Sequence, residues 1–107
     1  MIISASILQK ATDVLLAVAP PGSRVFLFGS HATGKANATS DVDFLVVEPD
    51  VEDRVTEMLR LTEALRPTKL PVDLLVLSSD SFERWKDTPN SIAYRVAREG
   101  KVYGPAT

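Results

Sequence analysis

The sequence predicts an α/β (α+β) domain, a small sheet with helices packed on it. Two observations carry this: apolar stripes of helical period alternate with short apolar runs, and each run is closed by glycine, proline or charge. The chain has 107 residues, enough for one core, so residues 1–107 are expected to form a single domain.

From Ala5 to Ala19 the residues Ile7, Ala11, Val14, Leu15 and Val18 recur at spacings of three and four, one stripe of an amphipathic helix. Pro20, Pro21 and Gly22 end it. Val25 to Phe28 is an apolar and aromatic run stopped by Gly29, as expected for a buried strand. Ser30 to Ser40 is small and polar and reads as a loop with at most one helical turn. A second strand is expected from Asp41 through Val47, closed by Glu48, Pro49 and Asp50. Val51, Val55, Met58, Leu59 and Leu65 outline a second helix ending near Pro67, and Pro71 to Leu77 is the third strand. Phe82 and Trp85 then fall in a polar connection. Pro89 to Glu99 reads as a last helix stopped by Gly100, and Lys101 to Tyr103 as a short edge strand.

Composition narrows the function. Hydrophobic residues make up 45% and charged residues 24%, a balance that suits a folded domain. The net charge of -2 gives no field to hold a long nucleic acid, so none is expected as a partner. The absence of cysteine excludes disulfides and thiolate metal sites, leaving oxygen ligands for any metal. The first apolar stretch is interrupted by Lys10, Asp13 and Pro20, so no membrane span is expected and the protein is read as cytoplasmic.

The chemistry concentrates in Gly29-Ser30-His31-Ala32-Thr33-Gly34-Lys35 and in Ser40-Asp41-Val42-Asp43, at the head of an otherwise apolar strand. Side chains alternate along a strand, so Asp41 and Asp43 project from one face, where two carboxylates repel unless a cation lies between them. Magnesium, a hard ion that takes carboxylates together with phosphates and water, suits the pair. Alone, such a pair also reads as a solvated strand end. Gly29 and Ser30 weight it toward a site, because a bare backbone and a hydroxyl directly after a buried strand let amides approach a phosphate. Asp73, within Val72-Asp73-Leu74-Leu75-Val76-Leu77, is a charge on a mostly apolar strand, and it is expected to need a compensating partner, either a metal or a basic side chain. Three aspartates on two strands could hold two cations for an in-line phosphoryl displacement.

Gly29-Ser30, ten intervening residues, Asp41-Val42-Asp43 and a later strand carrying Asp73 together resemble the DNA polymerase beta superfamily of nucleotidyltransferases. The small size, the apolar continuation Phe44-Leu45-Val46-Val47 and the closing segment Ile92 to Tyr103 resemble its minimal nucleotidyltransferase branch, over nearly the whole chain. The resemblance implies a mixed sheet with flanking helices, Gly29 and Ser30 at the triphosphate, and Asp41 and Asp43 on two Mg2+ ions. It also implies Asp73 as a metal ligand and base. Members of this branch act as antitoxins beside a helical HEPN-domain ribonuclease toxin, transferring AMP from ATP onto a toxin tyrosine. Many relatives have an arginine where this chain has Thr33, a cation that Lys35 could replace. Two alternatives stand beside this expectation: a non-catalytic antitoxin that neutralises by binding, and transfer to a small molecule such as an aminoglycoside. His31, Trp85, Tyr94 and Tyr103 carry no specific signal and are read as ordinary loop or packing residues.

Overall fold

The computed structural model describes residues 4–29, 34 and 41–103. Helix α1, Ala5–Val18, starts at Ser4, whose hydroxyl accepts a hydrogen bond from the Ile7 amide at 3.3 Å. Its stripe buries Ala11 and Leu15. Strands β1, Arg24–Phe28, and β2, Val42–Glu48, pair antiparallel, with Arg24 opposite Val47 and Phe28 opposite Asp43. Helix α2, Arg54–Ala64, carries the chain to β3, Val72–Ser78, which runs parallel to β2. Helices α3, Ser79–Trp85, and α4, Ile92–Glu99, follow, and β4, Lys101–Tyr103, pairs antiparallel with β1. The sheet order is β3-β2-β1-β4.

Alternation along the strands divides the core in two. One face presents Val25, Leu27, Val42, Phe44 and Val46 to Ala11 and Leu15 of α1 and Leu61 of α2. The other presents Phe26, Phe28, Leu45 and Val47 to Phe82 of α3 and to Ala93 and Val96 of α4. Both faces of β2 are therefore covered, which explains why it reads as an unbroken apolar run.

The helix boundaries differ from the sequence expectation because polar caps set them. Asp53 accepts the Thr56 amide at 3.1 Å and starts α2 at Arg54. Ser91 accepts the Tyr94 amide, and Asn90 before it has φ of 73°, so α4 starts at Ile92 and not at Pro89. Strand β2 is displaced by one residue at each end from the expected Asp41 to Val47.

One expectation is corrected. Phe82 and Trp85 lie in helix α3 and not in a polar connection. Ser78 caps this helix by accepting the Ser81 amide at 3.1 Å. Phe82 is buried and stacks on Phe26 with ring centroids 5.2 Å apart, while Arg24 lies over both rings. Trp85, on the same short helix, is 47% exposed.

The last residue of β2 is a buried carboxyl. Glu48 is 1% exposed, and its Oε2 has no hydrogen-bond partner. Burial, reinforced by the neighbouring Glu57 carboxyl, pushes its pKa up to about 8. Glu57 goes the other way, to about 2, held first by Arg60, which forks onto it at 2.8 and 2.7 Å, and then by Glu48. The folded protein thus keeps a proton on Glu48 that the unfolded chain releases near 4.5, the ordinary value. The stabilising contribution of Glu48 is intact below that value and lost as the pH rises through about 8. That of Glu57 is present above 4.5 and lost as the pH falls toward about 2. The melting temperature is expected to fall between about pH 5 and about pH 9, and Glu48→Gln should flatten that slope. An equal slope in the variant would assign the pH dependence to other groups.

Candidate active site

The residues singled out from sequence meet at one end of the sheet. Phe28 ends β1, and Gly29 follows with φ of 73°, a left-handed conformation in which a side chain is strained. A Cβ on Gly29 would overlap Oδ2 of Asp43 and stand 3.1 Å from its Cγ. The Asp43 carboxylate is therefore laid directly over bare backbone, in space that only glycine leaves open.

The parallel register sets Asp43 beside Asp73, and the antiparallel register sets it beside Phe28 on the other flank. Paired residues on neighbouring strands share a face, so both carboxylates lie on the side of the sheet covered by α3 and α4. Asp41 precedes β2 by one residue, and strand alternation gives it the same face. The Val42 amide between the two aspartates donates to the Pro71 carbonyl at 2.7 Å, tying the mouth of β2 to the approach of β3. Asp41 is exposed and Asp43 half-buried.

Asp73 differs from its sequence expectation. It is exposed, because β3 is an edge strand and Asp73 stands near its start, so burial does not oblige it to find a compensating partner. Ser30, His31, Thr33 and Lys35 lie outside the described residues.

Sequence reasoning overlooked a cation close by. Arg95 of α4 lies over the Phe28 ring, 5.4 Å from its centroid, and Phe28 is the cross-strand partner of Asp43. Its Nε donates to Glu99 at 2.7 Å. Arg95 also lines a cavity of about 330 Å³ with Asn90, Ser91, Tyr94, Arg98 and Glu99. Arg98 stacks on Tyr94, its guanidinium 4.3 Å from the ring centroid. No local motif marks Arg95, since its position depends on how α4 packs against β1.

The donor chemistry fits a hard divalent cation: carboxylate oxygens on two adjacent strands with open backbone beside them. Among the described residues, no three His, Cys, Asp or Glu side chains are gathered closely enough to form a metal cage by themselves. A cation here would need further oxygens, as Mg2+ commonly draws from phosphates and water. Among the described residues, no helix is long and apolar enough to cross a membrane.

The fold recurs in solved structures. A toxin-antitoxin crystallised with AMP-PNP superposes with a TM-score of 0.65 at 24% identity, over 97% of this chain and 76% of that one. A mutant of the toxin-antitoxin MntA-HpeT gives 0.62 at 23% identity, over 92% and 73%. A Sulfolobus solfataricus protein taken to be a nucleotidyltransferase gives 0.58 at 26% identity, over 77% and 73%. No curated protein matches the sequence. The family model of the nucleotidyltransferase domain matches residues 9–103, almost the full length of the sheet and its helices, and the chain belongs to that family.

Proposed function

We propose that this nucleotidyltransferase is the antitoxin of a toxin–antitoxin pair and transfers AMP from ATP to a tyrosine hydroxyl of a HEPN-domain ribonuclease toxin. The observation that carries the reading is the register of Asp43 beside Asp73, with the Asp43 carboxylate over the bare backbone of Gly29. The structural neighbours add support: two are toxin-antitoxins, one of them with AMP-PNP. The mutant neighbour carries aspartate-to-glutamate changes at two positions separated by one residue, the spacing of Asp41 and Asp43.

In this reading Asp41, Asp43 and Asp73 hold two Mg2+ ions, which would offset the charge that develops on the attacking and leaving oxygens. Gly29 and Ser30 present backbone amides and a hydroxyl to the triphosphate. Asp73, exposed at the sheet edge, accepts the proton of the tyrosine hydroxyl as its oxygen bonds to the α-phosphorus and pyrophosphate leaves. The exposure of Asp73 suits an acceptor that arrives on another protein. Asp41, Asp43 and Asp73 are set on strands, so their positions depend on backbone pairing more than on loop conformation.

Arg95 supplies a cation for the phosphates that an arginine at the position of Thr33 would otherwise provide. Arg95→Ala is expected to raise the KM for ATP about tenfold with a smaller change in kcat, and Arg95→Lys to recover part of the loss. Steady-state kinetics at saturating acceptor check this. An unchanged KM would remove Arg95 from the nucleotide site.

The reading itself is tested by intact mass. The protein is incubated with the helical protein encoded beside it, ATP and Mg2+, and the partner should gain one or more AMP units on tyrosine. A tight complex without mass gain would favour neutralisation by binding alone, and a gain on an aminoglycoside would favour a small-molecule acceptor.

A further inference from the structure

At the other end of β2 lies a second cavity, of about 300 Å³. Glu48 is five residues beyond Asp43, roughly 16 Å along the strand. It shares the sheet face of Val42, Phe44 and Val46, the face covered by α1 and α2. Glu48, Asp50, Glu52, Asp53, Glu57 and Arg60 line the cavity, an excess of carboxyl groups over a single guanidinium. Local structure accounts for two of them, since Asp53 caps α2 and Glu57 holds Arg60. It does not account for Glu48, whose Oε2 is buried without a hydrogen-bond partner on the wall of the cavity. A carboxyl left so is costly, and the cost disappears when a donor enters.

The donor that fits is an organic cation. A bare metal ion is a poor match, because no three acidic or histidine side chains are gathered as a cage among the described residues. Pro20 and Val51 give the cavity apolar wall against which a methylene stem can lie. A guanidinium is planar, meets carboxylates with two parallel hydrogen bonds, and is more weakly hydrated than an ammonium. On α2, Val55 and Leu59 are 63% and 66% exposed and lie one turn apart on the helix face next to that of Thr56 and Arg60. An apolar ridge beside an acidic cavity matches a polypeptide segment that presents an arginine flanked by apolar residues.

We infer that this cavity binds an arginine side chain of a partner polypeptide, its guanidinium anchored on the buried Glu48 carboxyl and its neighbouring apolar residues resting on Val55 and Leu59. The Glu48 proton leaves to solvent as the guanidinium enters, because the ion pair needs the carboxylate. Asp50, Glu52 and Asp53 from the loop after β2, and Glu57 and Arg60 from α2, are the charged groups that share the cavity. Binding should strengthen as the pH rises toward the Glu48 value of about 8 and level off above it.

The test is an amide NMR titration of the full chain with acetyl-Leu-Arg-Leu-amide, its neutral citrulline counterpart, and agmatine. The arginine peptide is expected to shift the Val51, Thr56 and Arg60 amides saturably, about tenfold tighter than the citrulline peptide and tighter than agmatine. Glu48→Gln preserves size and a donor toward Glu57, so its spectrum should remain that of the folded protein while the preference for arginine and the pH dependence vanish. Equal binding of citrulline, unchanged binding by Glu48→Gln, or no saturable shift would overturn the site. Agmatine binding as tightly as the peptide would overturn the polypeptide as its occupant.

Discussion

Replacing Asp41 and Asp43 together by Ala is expected to lower AMP transfer by about a thousandfold or more, as removal of a charge-stabilising group from a transition state does. The same change should leave the fold intact. Asp41 is exposed and Asp43 half-buried, and the strand that carries them is held by Phe44, Leu45, Val46 and Val47, all fully buried. Removing two adjacent like charges relieves repulsion, so the double variant should melt at or above the temperature of the parent. Circular dichroism and a single-turnover transfer assay on the same preparation separate the two effects. Transfer retained by a folded double variant would defeat the metal-assisted mechanism.

Gly29→Ala should be nearly as damaging, although it removes no functional group. The new methyl occupies the place of the Asp43 carboxylate, and the residue would still have to hold φ of 73°, which costs an alanine about 1 kcal/mol. One of the two must move. A displacement of about an ångström at a phosphoryl-transfer site costs on the order of a hundredfold in rate. The expected result is a variant that binds its partner normally, melts a few degrees lower, and transfers AMP about a hundred times more slowly. Normal transfer would show that the placement of Asp43 over Gly29 is incidental.

Asp41, Asp43 and Gly29 were legible in the sequence because their signals are local. Strand alternation gives two aspartates one face, and a glycine after an apolar run marks a close approach. That Asp73 comes to stand beside Asp43 depends on the parallel register of β2 and β3, which no local pattern encodes. The exposure of Asp73 followed from the edge position of its strand, also a property of the assembled sheet. Helix α3 escaped notice because seven residues with a single buried apolar side chain have no measurable period. Its capping serine and Asp80 in the first turn were the available signals. Glu48 looked like the polar end of a strand, and only the packing of α2 over it makes it a buried acid.

The pairing of Asp43 with Asp73 joins residues separated by the whole of α2, and that of Phe28 with Asp43 spans the loop between the first two strands. Neither neighbour exists in a chain that has formed only its helices or its β1–β2 pair. Catalytic competence therefore arrives last, when the slow, long-range pairing of β3 is complete. Partial opening at that edge strand would silence the enzyme well before the rest of the molecule unfolds. In such a protein, activity reports the integrity of one edge of the sheet, and a protease or partner acting on that edge would control it.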